Sequence, residues 1–159
     1  MKAHVAALRP LILIFAGFVL VQAVTAAMLF VMKLGLAPTA IEGFYRGSEL
    51  AMTRPRSLTG LLEVAVPHLL AVPLTLFIVI HLVSWAGVVG REALQLLARV
   101  SFALSALGLT AGLGVRYLWP WLSVVKLVAF LGMELTLVAW CVLLFVAFWP
   151  SNALSATAA

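Results

Sequence analysis

Residues 61–89 read LLEVAVPHLLAVPLTLFIVIHLVSWAGVV, and this stretch decides the fold. It contains one carboxylate, Glu63, and no lysine or arginine. A helix needs about 20 apolar residues to cross the hydrocarbon core of a bilayer. Because lipid offers no partner to backbone polar groups, only helices and closed barrels can span it. The run is continuous, unlike the alternating segments of about 10 residues found in barrels. It therefore predicts a transmembrane helix.

Three further apolar runs of similar length lie at residues 10–32, 93–115 and 121–149. Together the four runs predict an all-α integral membrane protein, with residues 1–159 forming a single membrane domain. The expected architecture is an up-down-up-down bundle of four transmembrane helices.

The ends and the first connection complete this picture. Lys2 and Arg9 precede the first run as the cations of a secretory signal would. That run is longer than the apolar region of a signal, so we expect a retained helix. Residues 33–59 gather glycines, prolines and charges, which predicts an extramembrane loop with a short helix near Ile41–Tyr45. Ser57 and Thr59 are the candidate N-caps for the second span.

The composition places the chain in lipid. It is 65% hydrophobic and 9% charged, with a mean hydropathy of +1.23, whereas soluble domains carry about 25% charged residues. Its net charge of +5 comes from cations placed singly near the ends of apolar runs. Snorkelling and attraction to anionic head groups explain this placement better than a nucleic-acid partner. The single cysteine, Cys141, is expected to act as a small hydrophobe.

Orientation depends on how the cations are weighed. Lys2 and Arg9 flank the first span directly, whereas three arginines of the first loop are distant from it in the chain. Cations near the first span usually dominate. We therefore expect a multi-pass protein of the cell inner membrane with both termini in the cytoplasm.

His68 and His81 share the second span, 13 residues or about 19.5 Å apart along a helix. This arrangement resembles the membrane cytochromes b, in which one transmembrane helix presents two histidines to two haems. The resemblance implies haem b, electron transfer, and His68 and His81 as axial ligands of haem iron. The family spacing is about 14 residues, which restores the same helix face. Thirteen residues turn an ideal helix to a position about 220° away from the starting face, so the two histidines would point to different faces. Pro73 lies between them and could alter this angle.

A haem with two axial ligands needs a partner for each histidine. His4 lies outside the first span, so the partner could be the same histidine of a second copy, a residue of a neighbouring subunit, or the Met133 sulfur. The alternative is structural, with each imidazole bonded to a hydroxyl or carbonyl of another helix.

Glu134 lies in the middle of the fourth run, where a carboxylate is costly. It could serve as a proton relay or a quinone-site acid, with His81 as partner across the bundle. Alternatively, it is a neutral carboxyl bonded to a helix backbone. Lys126, two turns away on the same helix, is the poorer partner. A metal site that combines Glu63, His68 and the loop glutamates lacks any established ligand spacing.

Gly108 and Gly112 form a G-x-x-x-G pattern on the third span, which predicts a packing face within the bundle or against a partner.

The sequence contains no phosphate loop, nucleophile elbow or cysteine pair, so the chain is not expected to be an enzyme by itself. Two functions are left: an electron-transfer subunit that binds haem b or contacts quinone within a larger membrane complex, or a non-catalytic structural or anchoring subunit. Either one predicts an oligomer or other membrane subunits as partners. A small transporter is disfavoured because the four spans show no repeat.

Overall fold

The computed structural model of the protein describes residues 7–49 and 52–149. These residues form five helices and, within the described ranges, no strand. The helices are α1 (Arg9–Leu34), α2 (Pro38–Arg46), α3 (Leu58–Ala86), α4 (Arg91–Tyr117) and α5 (Leu122–Phe148). All but α2 are long and apolar enough to cross a membrane. The prediction of an all-α membrane protein with four spans is confirmed, and each span ends within three residues of its predicted limits.

The second span is displaced toward the N-terminus relative to the prediction. It begins at Leu58 because the Ser57 side-chain oxygen accepts a hydrogen bond from the Gly60 N–H at 3.1 Å. It ends at Ala86 because Gly87 adopts the left-handed conformation, with φ of 67°, which glycine tolerates best. The turn to α4 therefore lies at residues 87–90, and Arg91, predicted to lie in that turn, begins α4.

α5 is the central helix of the bundle, since it packs against α1, α3 and α4. It runs antiparallel to α1, with Phe30 stacked on Phe130 at 3.8 Å near one end. Its Trp140 indole N–H donates to the Ser101 hydroxyl of α4 at 3.0 Å, and both residues are fully buried. α1 and α3 meet across an apolar groove instead of packing closely.

α2 folds back onto the ends of the spans, so the first connection is more than a loop. Ile41 and Tyr45 are buried in a second core cluster together with Phe30 and Val115. After α2 the chain reverses at Gly47, whose φ is 85°. A Cβ atom there would lie 2.7 Å from the Thr53 carbonyl oxygen, so only glycine fits. The end of the bundle that carries α2 is called the capped end below.

Candidate functional site: the exposed histidines of α3

Each histidine of α3 is held by its own helix. The Nδ1 atom of His68 lies 2.7 Å from the Val64 carbonyl oxygen, and that of His81 lies 2.8 Å from the Phe77 carbonyl oxygen. A carbonyl only accepts, so Nδ1 is the protonated nitrogen in a neutral ring and Nε2 keeps its lone pair. Histidines that bind metals are commonly oriented in this way by a second hydrogen bond.

Both imidazoles lie on the outside of the folded chain, where they are exposed. From the bounds of α3, His68 lies about 6 Å from the middle of the helix and His81 about 13.5 Å from it. His68 is therefore the deeper of the two in a membrane, whereas the limits 61–89 predicted from the sequence place His81 nearer the middle of the span. The difference arises because α3 begins and ends three residues earlier than predicted.

The surroundings of His68 are unusually open. All six residues from 66 to 71 are exposed, so the rest of the described chain leaves this segment of α3 largely uncovered. Pro67 and Pro73 lie inside the helix, and neither has an N–H to donate to the carbonyl four residues earlier. The carbonyls of Glu63 and Leu69 thereby lose their usual helical donor. A lipid-exposed segment with such groups calls for a polar partner.

His81 has aromatic neighbours on both sides along α3. The Phe77 ring lies 4.0 Å from the imidazole centroid, and the Trp85 ring lies 6.5 Å from it, edge to face. Trp85 also lines the apolar groove between α1 and α3, together with Phe15 and Ile78. The imidazole thus lies at the edge of a flat, apolar and aromatic surface, which is the type of environment that suits a porphyrin.

The described residues do not bring the other predicted haem ligand to either histidine. Met133 packs against the main core cluster, and its sulfur accepts from the Thr136 hydroxyl at 3.9 Å. His4 lies outside the described residues. Nowhere in residues 7–49 and 52–149 do three histidine, cysteine or acidic side chains come close enough to hold a metal. One copy of the chain therefore presents one candidate ligand at each of two levels of α3.

Glu134 lies one residue from the middle of α5 and is half-buried. Within the described ranges its carboxyl forms no hydrogen bond or ion pair. His81 cannot be its partner, because the imidazole lies at a different depth among Phe77 and Trp85. Glu134 thus keeps both sequence-based interpretations, a proton or quinone site and a neutral buried carboxyl.

The Gly108–Gly112 pattern faces the interior of the bundle. The Lys126 ammonium turns inward and donates to the Gly108 carbonyl at 2.7 Å. A Cβ atom at Gly112 would lie 2.9 Å from the Tyr45 hydroxyl. Gly112 thus makes room for Tyr45, whereas Gly108 meets Lys126 through its backbone carbonyl. Both contacts escaped the sequence analysis because they join residues far apart in the chain.

A family profile described as a transmembrane helical domain matches residues 35–154. The chain belongs to this family, Aq_1264_TM. The match contains α2 to α5, and with them both histidines and Glu134. Comparison with curated proteins gave no match, and comparison with solved structures gave none.

Proposed function

We propose that this transmembrane protein is a subunit of a membrane electron-transfer complex, in which His68 and His81 offer Nε2 to haem b iron along α3. One observation carries the proposal. Both imidazoles are exposed on a membrane-spanning helix, with Nδ1 bonded to that helix and with no bond from Nε2 to any described residue.

The partner is the necessary second element of this proposal. A polar ring nitrogen in contact with hydrocarbon is costly, and intramembrane histidines therefore face a partner or a cavity. Since the bundle covers neither ring, the cover has to come from outside the chain. A second copy or a different subunit, packed against α3, would supply the other axial ligand and bury the haem between the two.

The test is a set of α3 variants expressed with their natural partners. Haem per chain is measured in membranes and after mild detergent extraction. His68→Ala and His81→Ala are each expected to remove the haem that they ligate while the helices stay formed, because the iron bond is lost and not the fold. Thr75→Ala is the matched control, since the Thr75 hydroxyl also bonds the carbonyl four residues earlier on the same helix, at 2.9 Å.

A second function is distinguished by the same experiment. The structural or anchoring subunit is favoured by the uncovered segment at residues 66–71, which suits helix docking whether or not haem is present. If it is correct, His81→Gln is nearly silent, because an interhelical hydrogen bond in a membrane contributes only about 0.6 kcal/mol on average. Haem content unchanged in both alanine variants would reject haem ligation by α3.

We also propose the cell inner membrane as its location. The prediction of cytoplasmic termini rested on the distance of three loop arginines from the first span. In the fold, the Arg46 side chain donates to the Val115 carbonyl near the end of α4. The Arg56 carbonyl accepts a hydrogen bond from Arg116 at the same end. The charge count at the capped end favours that end as the cytoplasmic one, but Lys2 and Arg9 flank the first span directly, so we keep cytoplasmic termini as the proposal.

A further inference from the structure

The capped end brings together three arginines from three separate segments. The Arg56 N–H donates to the Tyr45 carbonyl at 3.0 Å, which ties residue 56 to the end of α2. The Arg56 carbonyl in turn accepts from Arg116 Nε at 2.9 Å. Arg46 Nη1 reaches the Val115 carbonyl at 3.5 Å. Arg46, Arg56 and Arg116 therefore meet at the C-terminal end of α4, and are called the arginine junction below.

No acidic side chain forms an ion pair within the arginine junction, although Glu49 lines the same surface pocket as Arg46. All five glutamates of the chain lie within the described residues, and none of them forms an ion pair with these arginines. In the bonds that hold the junction together, Arg46 and Arg116 each use one side-chain N–H, and Arg56 uses only its backbone N–H and carbonyl. The Arg56 guanidinium lies over the Phe44 ring at 4.3 Å, which leaves its in-plane N–H groups available.

The junction lies at the level of the lipid head groups. Tyr117, Trp119 and Trp121 are exposed beside it, and the two tryptophan rings stack on each other at 6.5 Å. Exposed tyrosine and tryptophan at helix ends mark the membrane–water interface. Guanidinium groups match the geometry of phosphate oxygens and bind them with paired hydrogen bonds.

We propose that the arginine junction binds the phosphate of an anionic phospholipid head group. The charge is complementary, the flanking tyrosine and tryptophans indicate the depth of the head group, and no glutamate forms an ion pair with these arginines. The bound lipid would link α2 to the α4–α5 turn and so stabilise the capped end. This proposal is independent of haem binding by α3.

The test uses vesicle lipids and paired variants. Purified protein is titrated in mild detergent with phosphatidylglycerol or with phosphatidylcholine, and the unfolding temperature and the lipid bound in native mass spectra are measured. Wild-type protein is expected to prefer phosphatidylglycerol. Arg46→Gln with Arg116→Gln is expected to lose about fivefold in affinity for each arginine. Arg91→Gln with Arg99→Gln, which removes the same charge from the opposite half, should retain the preference.

Several results would overturn the proposal. One is equal binding of the two lipids by wild-type protein, and another is an equal loss of lipid affinity in the two pairs of glutamine variants. A third is stabilisation by inorganic phosphate alone equal to that by phosphatidylglycerol, which would mean that the site binds a free anion. Full affinity in Arg46→Lys with Arg116→Lys would indicate diffuse charge in place of a site. Arg46→Gln alone is the substitute if the pair fails to fold, since its bond to Val115 is long at 3.5 Å.

Discussion

A histidine in a membrane-spanning helix has two ring nitrogens to satisfy, and α3 satisfies one in each ring from its own backbone. One of its threonines does the same, with Thr75 bonded to the Ala71 carbonyl. The Thr75 oxygen and each imidazole Nε2 both keep lone pairs after these bonds, but only the imidazole nitrogen is a common ligand of haem iron. This difference between residues of one helix is why the histidines, and not Thr75, are candidate ligands.

Two glycines of α4, Gly108 and Gly112, give a residue-scale prediction. A methyl group at Gly112 would meet the Tyr45 ring and hydroxyl at 2.9–3.2 Å, whereas one at Gly108 would meet Ala129 Cβ at an ordinary 3.7 Å. Gly112→Ala should therefore lower the free energy of unfolding by about 1–3 kcal/mol, and Gly108→Ala should be neutral or slightly stabilising. Unfolding by denaturing detergent, followed by circular dichroism, measures both. Equal responses of the two variants would contradict the inward orientation of this face.

At the scale of elements, α2 is the part whose role changed most from sequence to structure. A short helix near Ile41–Tyr45 was expected from the pattern, and it forms at Pro38–Arg46. Its docking against α1 and α4 could not be predicted, because it depends on Tyr45 fitting beside Gly112, 67 positions later in the chain. Run length and hydropathy fix the spans, but they contain no information on which polar side chain faces which helix.

The docking of α2 predicts an unusual tyrosine titration. Burial raises the pKa of Tyr45 to about 12, and the nearby Arg56 charge lowers it by a smaller amount. An unfolded tyrosine has a pKa of about 10, so the native state retains this proton longer. The contribution to stability is therefore complete below about pH 10 and is lost as the pH rises toward about 12.

Tyr117→Phe leaves Tyr45 as the only tyrosine, so tyrosinate absorbance of that variant reports Tyr45 alone. The expected midpoint is near pH 12 in the folded protein, and Arg56→Gln should raise it further. A midpoint close to that of unfolded protein would show that α2 is not docked.

The histidines show where prediction of the site from sequence ended. Their sharing of one helix could be read from the sequence, but their exposure could not, because an ideal helix turns residues 13 apart to different faces. Both are nevertheless exposed: His68 lies within the exposed segment at residues 66–71, and His81 lies on an outward face of a part of α3 whose Val83 is buried. Whether a helix segment is covered depends on how neighbouring helices pack, and a single apolar run has no signal for that.

The whole molecule is a bundle with one open side. α5 contacts the three other spans, whereas α1 and α3 leave a groove between them, and α3 is exposed at residues 66–71. Subunits that pack against α3 would cover this open segment and the imidazoles. The arginine junction lies at the capped end, so lipid binding there and subunit docking on α3 use separate surfaces.

The topology can be tested with introduced cysteines, because the native Cys141 is 2% exposed. Arg54→Cys in the capped end and Val88→Cys in the α3–α4 turn should react with a membrane-impermeant maleimide from opposite sides of sealed vesicles. Ser151→Cys should react from the same side as Val88→Cys, since an even number of spans returns the chain to its starting side. Reaction of Arg54→Cys and Val88→Cys from one side would refute four spans, and the side itself decides the proposed orientation.

The central claim, that α3 binds haem iron through His68 and His81, is tested most directly by a reduced-minus-oxidised absorption spectrum. The spectrum is recorded on the protein purified with its natural partners from native membranes. We expect a Soret band and a reduced α band of the b type, both of which disappear in the double variant His68→Ala, His81→Ala while Thr75→Ala retains them. A colourless wild-type assembly with all partners present, or haem bands that persist in the double variant, would contradict the claim.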